Sequence, residues 1–363
     1  QHPGYQQLKT ALARYQKLAE QGGWPALSFR ETLSEGDAGA NVTALRSRLM
    51  ASGDFQSAPQ SVSDIFDSGL TAAVKQFQTR TGLEPDGIVG PATQAALNVS
   101  VEERIQQIEL NMERWRWLPQ YLGRRHIIVN IADFSAKVSE NNQQIMEMRV
   151  IVGRSYRRTP VFSDKITYLV FNPYWNVPTN IAQKDILEYI KKDPAYLNRV
   201  NMKVFKGWGA DTRVIDPATV DWSTISTRNM PFRFRQDPGP LNPLGQVKFM
   251  FPNRFNVDMH DTPSRELFEK TERSFSSGCI RIEKPLDLAV LLLQAQPEWE
   301  MEKIMTVIGT GKEQTVALAE PVDVHLLYWT AWAEPDGTLN FRNDIYKRDA
   351  RIYEAMQKAA PRY

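Results

Sequence analysis

The spacing of hydrophobic residues predicts helices at both ends of the chain. Within residues 1–30 such positions recur every three or four residues, at Leu8, Leu12, Tyr15 and Ala19. The same spacing runs over 101–118, and a last helix is predicted over 344–358. We therefore predict an N-terminal scaffold helix in 1–30, a scaffold or linker helix in 99–123 and a C-terminal scaffold helix in 331–363.

Residues 31–98 contain shorter helical patterns that are separated by glycine. One helix presents Val42, Leu45 and Leu49 on one face, and a second over 71–81 presents Val74 and Phe77. A turn at 86–91 leads into a third, with proline at its first position. This stretch is predicted to be a small all-α module of three helices.

From about residue 124 the pattern changes to short β-strands. Strands are predicted at 126–131, 144–152, 166–171, 247–251 and 322–332, with a short apolar helix at 286–293. The segment of about 182–245 interrupts this rhythm, beginning with a polar helix and ending in a run of proline and glycine. We interpret it as an insertion that forms a lid, within a mainly β domain over 124–330.

Composition and charge narrow the class of protein. The chain has 42% hydrophobic and 24% charged residues, as ordinary globular proteins do, and a net charge of only +2. This balance argues against a dedicated nucleic-acid binder, and no apolar run approaches the roughly 20 residues that a membrane helix needs. The basic aromatic string at 114–117 is interpreted as core packing with solvated arginines.

The single cysteine is the strongest candidate for chemistry. Cys279 stands in the string Ser-Ser-Gly-Cys-Ile-Arg, which is a poor core sequence, and His260 lies nineteen residues upstream. A thiol becomes a nucleophile when an imidazole accepts its proton, and amides at Gly278 and Cys279 would suit a developing oxyanion. Arg281 lies two residues on, where an extended strand would point it to the same side, and it could anchor a substrate carboxylate.

No spacing of the four histidines matches a metal site, so we expect neither a metal ion nor another cofactor. The alternative for Cys279 is a buried, inert small side chain. For Trp175 and Tyr174, core packing competes with a place in a substrate groove.

Two stretches resemble known families. Residues 31–98 resemble the peptidoglycan-binding domain of many cell-wall enzymes, through Leu33-x-x-Gly36-Asp37-x-Gly39 and Asp86-Gly87-x-x-Gly90-x-x-Thr93. His260-Asp261-Thr262-Pro263 and Ser276-Ser277-Gly278-Cys279-Ile280-Arg281 resemble the signature of the L,D-transpeptidase catalytic domain, the YkuD-type fold. The string 171–178 and the lid-like insertion are similar to the large YcbB type of Gram-negative bacteria.

These resemblances imply a fold and an activity. The expected fold class is an α+β multidomain protein, with a YkuD-type β-sandwich or barrel as catalytic domain. The family implies a Cys279 nucleophile, a His260 base oriented by the Asp261 carbonyl, and attack on a tetrapeptide stem with release of D-Ala. A diamino-acid amine of a second stem then forms a 3→3 cross-link, and carbapenems acylate the same thiol.

The remaining site residues implied by the resemblance are substrate-binding. They are Arg281, Ser277, Thr262, Trp175, Asn176 and Tyr174. Many family members carry histidine where this chain has Ser277, so any role of that histidine falls here to a hydroxyl, a backbone group or nothing. An L,D-carboxypeptidase and a non-catalytic peptidoglycan-binding scaffold are the two alternatives.

The expected compartment is the periplasm. The chain begins with Gln1 and not with methionine, which we interpret as a processed product whose targeting or membrane-anchoring segment lies upstream. Exported proteins avoid unpaired thiols, so a single retained cysteine indicates that this cysteine has a function. The expected partners are peptidoglycan stem peptides, as tetrapeptide donor and diamino-acid acceptor, together with other cell-wall synthases, and not nucleic acid.

Overall fold

The structure is a computed structural model that describes residues 2–56, 63–207 and 209–359, so Gln1 lies outside its described part. Its helices are α1 Pro3–Glu20, α2 Ala40–Ser52, α3 Ser68–Arg80, α4 Pro91–Leu97, α5 Val101–Arg116, α6 Thr179–Ile181, α7 Leu187–Lys192, α8 Tyr196–Arg199, α9 Pro285–Leu293, α10 Met301–Gly309 and α11 Asp349–Ala359. A π-helical turn, Ala182–Ile186, joins α6 to α7, and short 3₁₀ helices lie at Gly209–Asp211, Pro217–Thr219, Trp222–Thr224 and Arg265–Glu269.

The strands are β1 Arg125–Asn130, β2 Ser135–Glu140, β3 Gln143–Gly153, β4 Phe162–Phe171, β5 Trp175–Asn176, β6 Met202–Lys206, β7 Arg213–Ile215, β8 Phe232–Gln236, β9 Val247–Met250, β10 Met259–His260, β11 Ser274–Ser276, β12 Ile280–Ile282, β13 Gln314–Leu327, β14 Ala331–Ala333 and β15 Leu339–Phe341. The chain divides into two units. Residues 1–122 and 328–363 form the first, and residues 123–327 form the second.

In the first unit the two chain ends share a core. Helix α1 buries Leu8 and Tyr15 against Ile108 of α5 and Phe341 of β15. Helix α5 begins at a capping box, in which Ser100 and Glu103 satisfy each other's backbone amides, and this fixes the start of the helix at residue 101. The segments at the two ends of the chain therefore pack against each other in one hydrophobic core.

The basic aromatic string differs in part from its interpretation. Trp115 stacks on Trp329 with ring centroids 4.3 Å apart, as core packing requires. Arg114, however, is buried and pairs with Asp349 at the start of α11 at 2.6 Å, whereas Trp117 is 56% exposed. The expectation of solvated arginines is wrong for Arg114, because the carboxylate that neutralises it comes from a distant part of the chain.

The small module in this unit has the three predicted helices α2, α3 and α4. Helix α3 begins three residues earlier than predicted, because the Asp67 carboxylate accepts a hydrogen bond from the Leu70 amide and caps it. The buried Gln78 amide ties α3 to the following turn, since it donates to Asp86 and accepts from the Gly87 amide at 2.9 Å. The turn motif thus holds the helices around one core.

In the second unit, nine of the strands that the structure describes form one sheet. Their order is β11-β3-β12-β10-β9-β4-β13-β1-β2, and β2 also pairs with β3, which closes the sheet into a barrel. Phe249, Met259 and Ile280 are direct cross-strand partners and are fully buried inside it. Their neighbours in sequence therefore face the outside of the barrel.

Strand β2 was not predicted from the sequence, and neither were β5 to β8, β10 to β12 and β15. Strand β2 forms a hairpin with β3 through Asn141 and Asn142, which both have positive φ, as a tight hairpin turn requires. The Asn-Asn pair was the available signal. The strand predicted at 322–332 ends at Leu327, and helix α11 starts five residues after the predicted position, because Asp344 accepts hydrogen bonds from the Arg348 and Asp349 amides.

The insertion forms a layer of its own on the second unit. Its strands order as β5-β8-β6-β7, and its core gathers Leu187, Ile190, Val204 and Phe234. Strand β5 precedes the predicted start of the insertion, yet it pairs with β8 and belongs to this sheet. The layer therefore has a hydrophobic core of its own.

Candidate active site

The pairing of β10 with β12 places the candidate catalytic residues on one side of the sheet. Strand β10 runs parallel to β12 with Met259 opposite Ile280 and His260 opposite Arg281. Cys279 therefore precedes the first paired residue of β12, on the side of the sheet that His260 and Arg281 share. The amide of Ile280 donates to the carbonyl of Asp258 at 2.9 Å, which continues the pairing up to the cysteine.

The His260 ring is held in one tautomer. Its Nδ1 lies 2.5 Å from the carbonyl oxygen of Asp261, so Nδ1 carries the proton and donates it. The other ring nitrogen, Nε2, keeps its lone pair and can accept a proton. The hydrogen bond to the Asp261 carbonyl that the resemblance implied is thus present.

The backbone around Asp261 is shaped by a glycine. The Asp261 carboxylate accepts from the Gln246 amide at 2.9 Å, and a Cβ on Gly245 would lie 2.2 Å from that carboxylate. Gly245 also has a φ of +62°, which side chains other than glycine rarely adopt. Burial raises the pKa of the Asp261 carboxyl. The glycine therefore permits the turn that presents the carbonyl of Asp261 to His260.

The loop before the cysteine is fixed by hydroxyl groups. Ser276 Oγ donates to the Cys279 carbonyl at 2.6 Å and accepts from the Gly278 amide at 3.0 Å. Gly278 has a φ of +126°, so glycine is required there. The buried Thr159 accepts from the Gly153 amide at 2.9 Å and donates to the Gly278 carbonyl at 2.8 Å.

This loop changes the expected role of Gly278. The Gly278 amide already donates to Ser276 Oγ and is not available to an oxyanion. The Cys279 amide, in contrast, donates to no acceptor in the described part of the chain. The candidate oxyanion donor is therefore the Cys279 amide, and Gly278 contributes conformation. Ser276 and Thr159 were given no role from sequence, because their hydrogen bonds depend on strand register.

The charges of the site favour a neutral resting pair. Burial lowers the pKa of His260 to about 4, although the Asp258 carboxylate opposes the shift. Burial also raises the pKa of the partly exposed Cys279 thiol, and the charge of Asp258 adds to this. At neutral pH the pair therefore rests as thiol and neutral imidazole, which is the form that can pass a proton from sulfur to Nε2.

The buried imidazole also predicts a pH dependence of stability. As the pH falls below 6.5, the unfolded imidazole binds a proton, but the folded one does not until about pH 4. Between pH 7 and pH 5 the free energy of unfolding should therefore fall by about 2 kcal/mol more in the wild type than in His260→Gln. Urea unfolding at the two pH values measures the difference, and parallel losses in both proteins would contradict it.

Arg281 is the candidate anion site. It lies beside Cys279, burial lowers its pKa, and its Nε is buried with no hydrogen-bond partner among the described residues. A guanidinium in that state is suited to a carboxylate. Thr262 is buried and its hydroxyl accepts from the Ser264 amide, which shapes the turn. It also lines a surface pocket together with Asp261 and Arg265, and its substrate-binding role stays a prediction.

Ser277 connects the catalytic loop to the insertion. Its Oγ accepts from Arg157 Nη1 at 2.9 Å, and the same guanidinium binds both carboxylate oxygens of Asp185, with 2.8 Å between Nη2 and Oδ1. Asp185 lies in the π-helical turn of the insertion. The serine that replaces the family histidine therefore takes part in a link between the loop and the insertion.

The substitution Arg157→Met should loosen this link. Charged hydrogen bonds of this kind contribute about 1.5–3 kcal/mol, so amide hydrogen exchange across 182–192 should rise about tenfold or more. The control is Arg199→Met, which removes an exposed pair with Asp193 in the same insertion. Equal exchange in both variants would contradict the link.

Trp175, Asn176 and Tyr174 lie in the insertion layer. Trp175 packs on its core, and Asn176 pairs with Arg235 of β8. The Arg235 guanidinium lies 4.4 Å from the centre of the Tyr174 ring. No contact among the described residues joins these three to Cys279, so their substrate-binding role stays a prediction.

Within 2–56, 63–207 and 209–359, no helix is both long and apolar enough to cross a bilayer. In the same residues, no group of three or more histidine, cysteine, aspartate or glutamate side chains is arranged to hold a metal ion.

Comparison with known proteins identifies two domains in the chain. Residues 124–318 match the L,D-transpeptidase catalytic domain, and residues 38–97 match a peptidoglycan binding domain. A Haemophilus influenzae protein provisionally described as an L,D-transpeptidase is 36% identical over 247 residues, or 68% of this chain and 49% of that protein. The chain thus spans about half the length of this curated relative.

Other similarities are shorter or weaker. An uncharacterised Kitasatospora aureofaciens protein is 46% identical over 66 residues, which are 18% of this chain and 54% of that protein. The crystal structure of an L,D-transpeptidase from Xylanimonas cellulosilytica aligns with 82% of this chain and 98% of its own at 15% identity and a TM-score of 0.25. On the domain match and the 36% identical relative, this chain belongs to the L,D-transpeptidase family and joins its catalytic domain to a peptidoglycan-binding domain.

Proposed function

We propose that the protein is a periplasmic peptidoglycan L,D-transpeptidase that forms 3→3 cross-links through a Cys279 thioester. The observation that carries the proposal is the His260 ring, whose Nδ1 proton is engaged by the Asp261 carbonyl so that Nε2 can serve as a base on the face that Cys279 shares. The family of the catalytic domain and the peptidoglycan-binding module support the choice of substrate.

In the first half-reaction the thiol proton passes to His260 Nε2, and sulfur attacks the carbonyl carbon between the diamino acid and D-Ala of a tetrapeptide stem. The Cys279 amide donates to the oxyanion that forms. When the carbon–nitrogen bond breaks, His260 returns the proton to the departing nitrogen. D-Ala leaves as the free amino acid, and the donor stem remains as a thioester.

In the second half-reaction the side-chain amine of an acceptor stem attacks the thioester. The amine loses a proton to His260, the carbon–sulfur bond breaks, and the thiolate takes the proton back. A new amide joins two diamino acids, which is the 3→3 cross-link. Arg281 is proposed to bind a stem carboxylate beside the reacting carbonyl, and the insertion to cover the bound donor.

Mass spectrometry of the products tests the proposal. The purified protein is incubated with disaccharide tetrapeptides, and we expect free D-Ala together with a dimer whose fragments place the new bond between two diamino acids. A tripeptide without dimer would instead make the protein an L,D-carboxypeptidase. No D-Ala release and no mass adduct with a carbapenem would identify a non-catalytic scaffold and overturn the proposal.

A further inference from the structure

A buried ion pair lies beside the candidate nucleophile and has no part in the mechanism above. Lys248 Nζ of β9 lies 2.8 Å from Asp258 Oδ2, and the two side chains are only 22% and 13% exposed. Removing two charges from water is costly, so such a pair is weak evidence for stability and calls for another explanation.

Strand register places the pair in the active site. His260 lies opposite Lys248 on β9 and opposite Arg281 on β12. Side chains repeat every second residue along a strand, so Asp258 and Cys279 occupy the next row of the same face. Asp258 is therefore the direct cross-strand neighbour of Cys279, and the hydrogen bond from the Ile280 amide to the Asp258 carbonyl fixes this alignment.

One oxygen of the Asp258 carboxylate is unsatisfied. Oδ1 is buried and has no hydrogen-bond partner among the described residues, while Oδ2 is occupied by Lys248. A buried acceptor without a donor is unfavourable, and the register puts the thiol next to this carboxylate. The thiol donates to the Asn256 carbonyl at 3.9 Å and leaves Oδ1 unsatisfied, whereas a thiolate beside this carboxylate would meet a second negative charge.

The electrostatic effects of the two residues have opposite signs. After burial, the charge of Asp258 is the largest influence that raises the pKa of Cys279, and Lys248 lowers it. For His260, Asp258 opposes the lowering of the pKa by burial, and Lys248 reinforces it. Although burial lowers the pKa of Lys248, the Asp258 carboxylate raises it above its ordinary value, so the lysine stays charged.

We propose that Lys248 and Asp258 are positioning residues that set the protonation of the reacting pair. Asp258 holds Cys279 as a thiol in the free enzyme and favours the imidazolium of His260 once the proton has moved, while Lys248 limits the charge that the thiol meets. The inference rests on the proposed function only in taking Cys279 and His260 as the reacting pair.

Other charged or titratable groups influence the same site and must be considered with this pair. They are Arg281 of β12, Arg154 at the end of β3, Tyr168 of β4 and Glu266 of the 3₁₀ helix. The charge of Arg281 interacts directly with Cys279, while Arg154 lowers and Glu266 raises the pKa of Arg281. Since these groups stay unchanged in single variants of the pair, differences between the variants report on Lys248 and Asp258.

The test is the thiol pKa of the full chain, measured from the pH dependence of alkylation by iodoacetamide with intact-mass detection. Cys279 is the only cysteine, so one site is modified. We expect Asp258→Asn to move the midpoint down by about one pH unit or more, and Lys248→Met to move it up. A merely structural role would move both in one direction.

Controls come from a second lysine–aspartate pair in the same sheet. Lys165 Nζ lies 3.4 Å from Asp323 Oδ1 on β4 and β13, and neither Lys165→Met nor Asp323→Asn should move the midpoint. Lys248→Arg retains the charge and should keep the wild-type midpoint. This variant also provides a test at the same position if Lys248→Met does not fold. Shifts of the same sign in Asp258→Asn and Lys248→Met, no shift in either, or a full shift in Lys248→Arg would overturn the proposal.

The experiment separates this inference from the proposed function. Alkylation needs no peptidoglycan, so the opposite shifts would appear even in a protein that forms no cross-link. Conversely, an enzyme that forms cross-links but shows no shift in either variant would retain the proposed function and lose this inference.

Discussion

Cys279→Ala is expected to abolish D-Ala release and to prevent the mass adduct with a carbapenem. The chain has no second cysteine to substitute for the nucleophile, and loss of a nucleophile lowers turnover by about 10⁴-fold or more. The measurement is D-Ala release from a tetrapeptide substrate, with intact mass after exposure to the carbapenem.

The control for this variant is Ser274→Ala on strand β11, five residues upstream. Ser274 Oγ bonds to Glu272 and does not touch the cysteine loop, so activity and adduct should stay at wild-type levels. Residual turnover of Cys279→Ala above one per cent of wild type would show that another group attacks the substrate.

The second large effect is expected for His260→Gln. Glutamine fills much of the same volume but has no titratable nitrogen, so the proton of the thiol has no acceptor. General-base catalysis contributes about 10²- to 10⁴-fold, and D-Ala release should fall by that factor. Because the pKa of His260 is lowered to about 4, wild-type activity should persist well below pH 6.5 as long as the protein stays folded.

His325→Gln is the matched control, since His325 is also buried in the barrel and its Nδ1 lies 2.7 Å from Ser163 Oγ. It should lower stability and leave D-Ala release per folded molecule within about threefold. Equal losses of activity in the two variants would mean that the effect of His260→Gln comes from disturbed folding and not from the missing base.

The parts of the site that could be predicted from the sequence are those that depend on neighbouring residues. Gly278 and Cys279 are adjacent, and the bond from His260 to the Asp261 carbonyl joins neighbours, so both could be predicted from short motifs. Thr159 could not be assigned a role, because its hydroxyl reaches the Gly278 carbonyl only after β3 and the cysteine loop are brought together.

For charged residues, too, interactions between neighbours in sequence could be predicted and interactions between distant segments could not. Asp258 is two residues before His260, and the alternation of a strand could have placed the two on one face. Lys248 belongs to another strand, and nothing in its local sequence indicates that it faces His260. Arg114 was expected in solvent for the same reason, since its partner Asp349 lies 235 residues away.

By itself, the sequence determined the helical ends, the three-helix module, five of the strands, the interrupted segment and the candidates for nucleophile and base, because periodicity, turn residues and motifs act over a few residues. Only the tertiary structure decided the closed sheet, the link from Ser277 through Arg157 to Asp185, and the place of the Lys248–Asp258 pair beside the thiol. These depend on strand register, which is set by how buried faces fit across the whole barrel and not by any one segment.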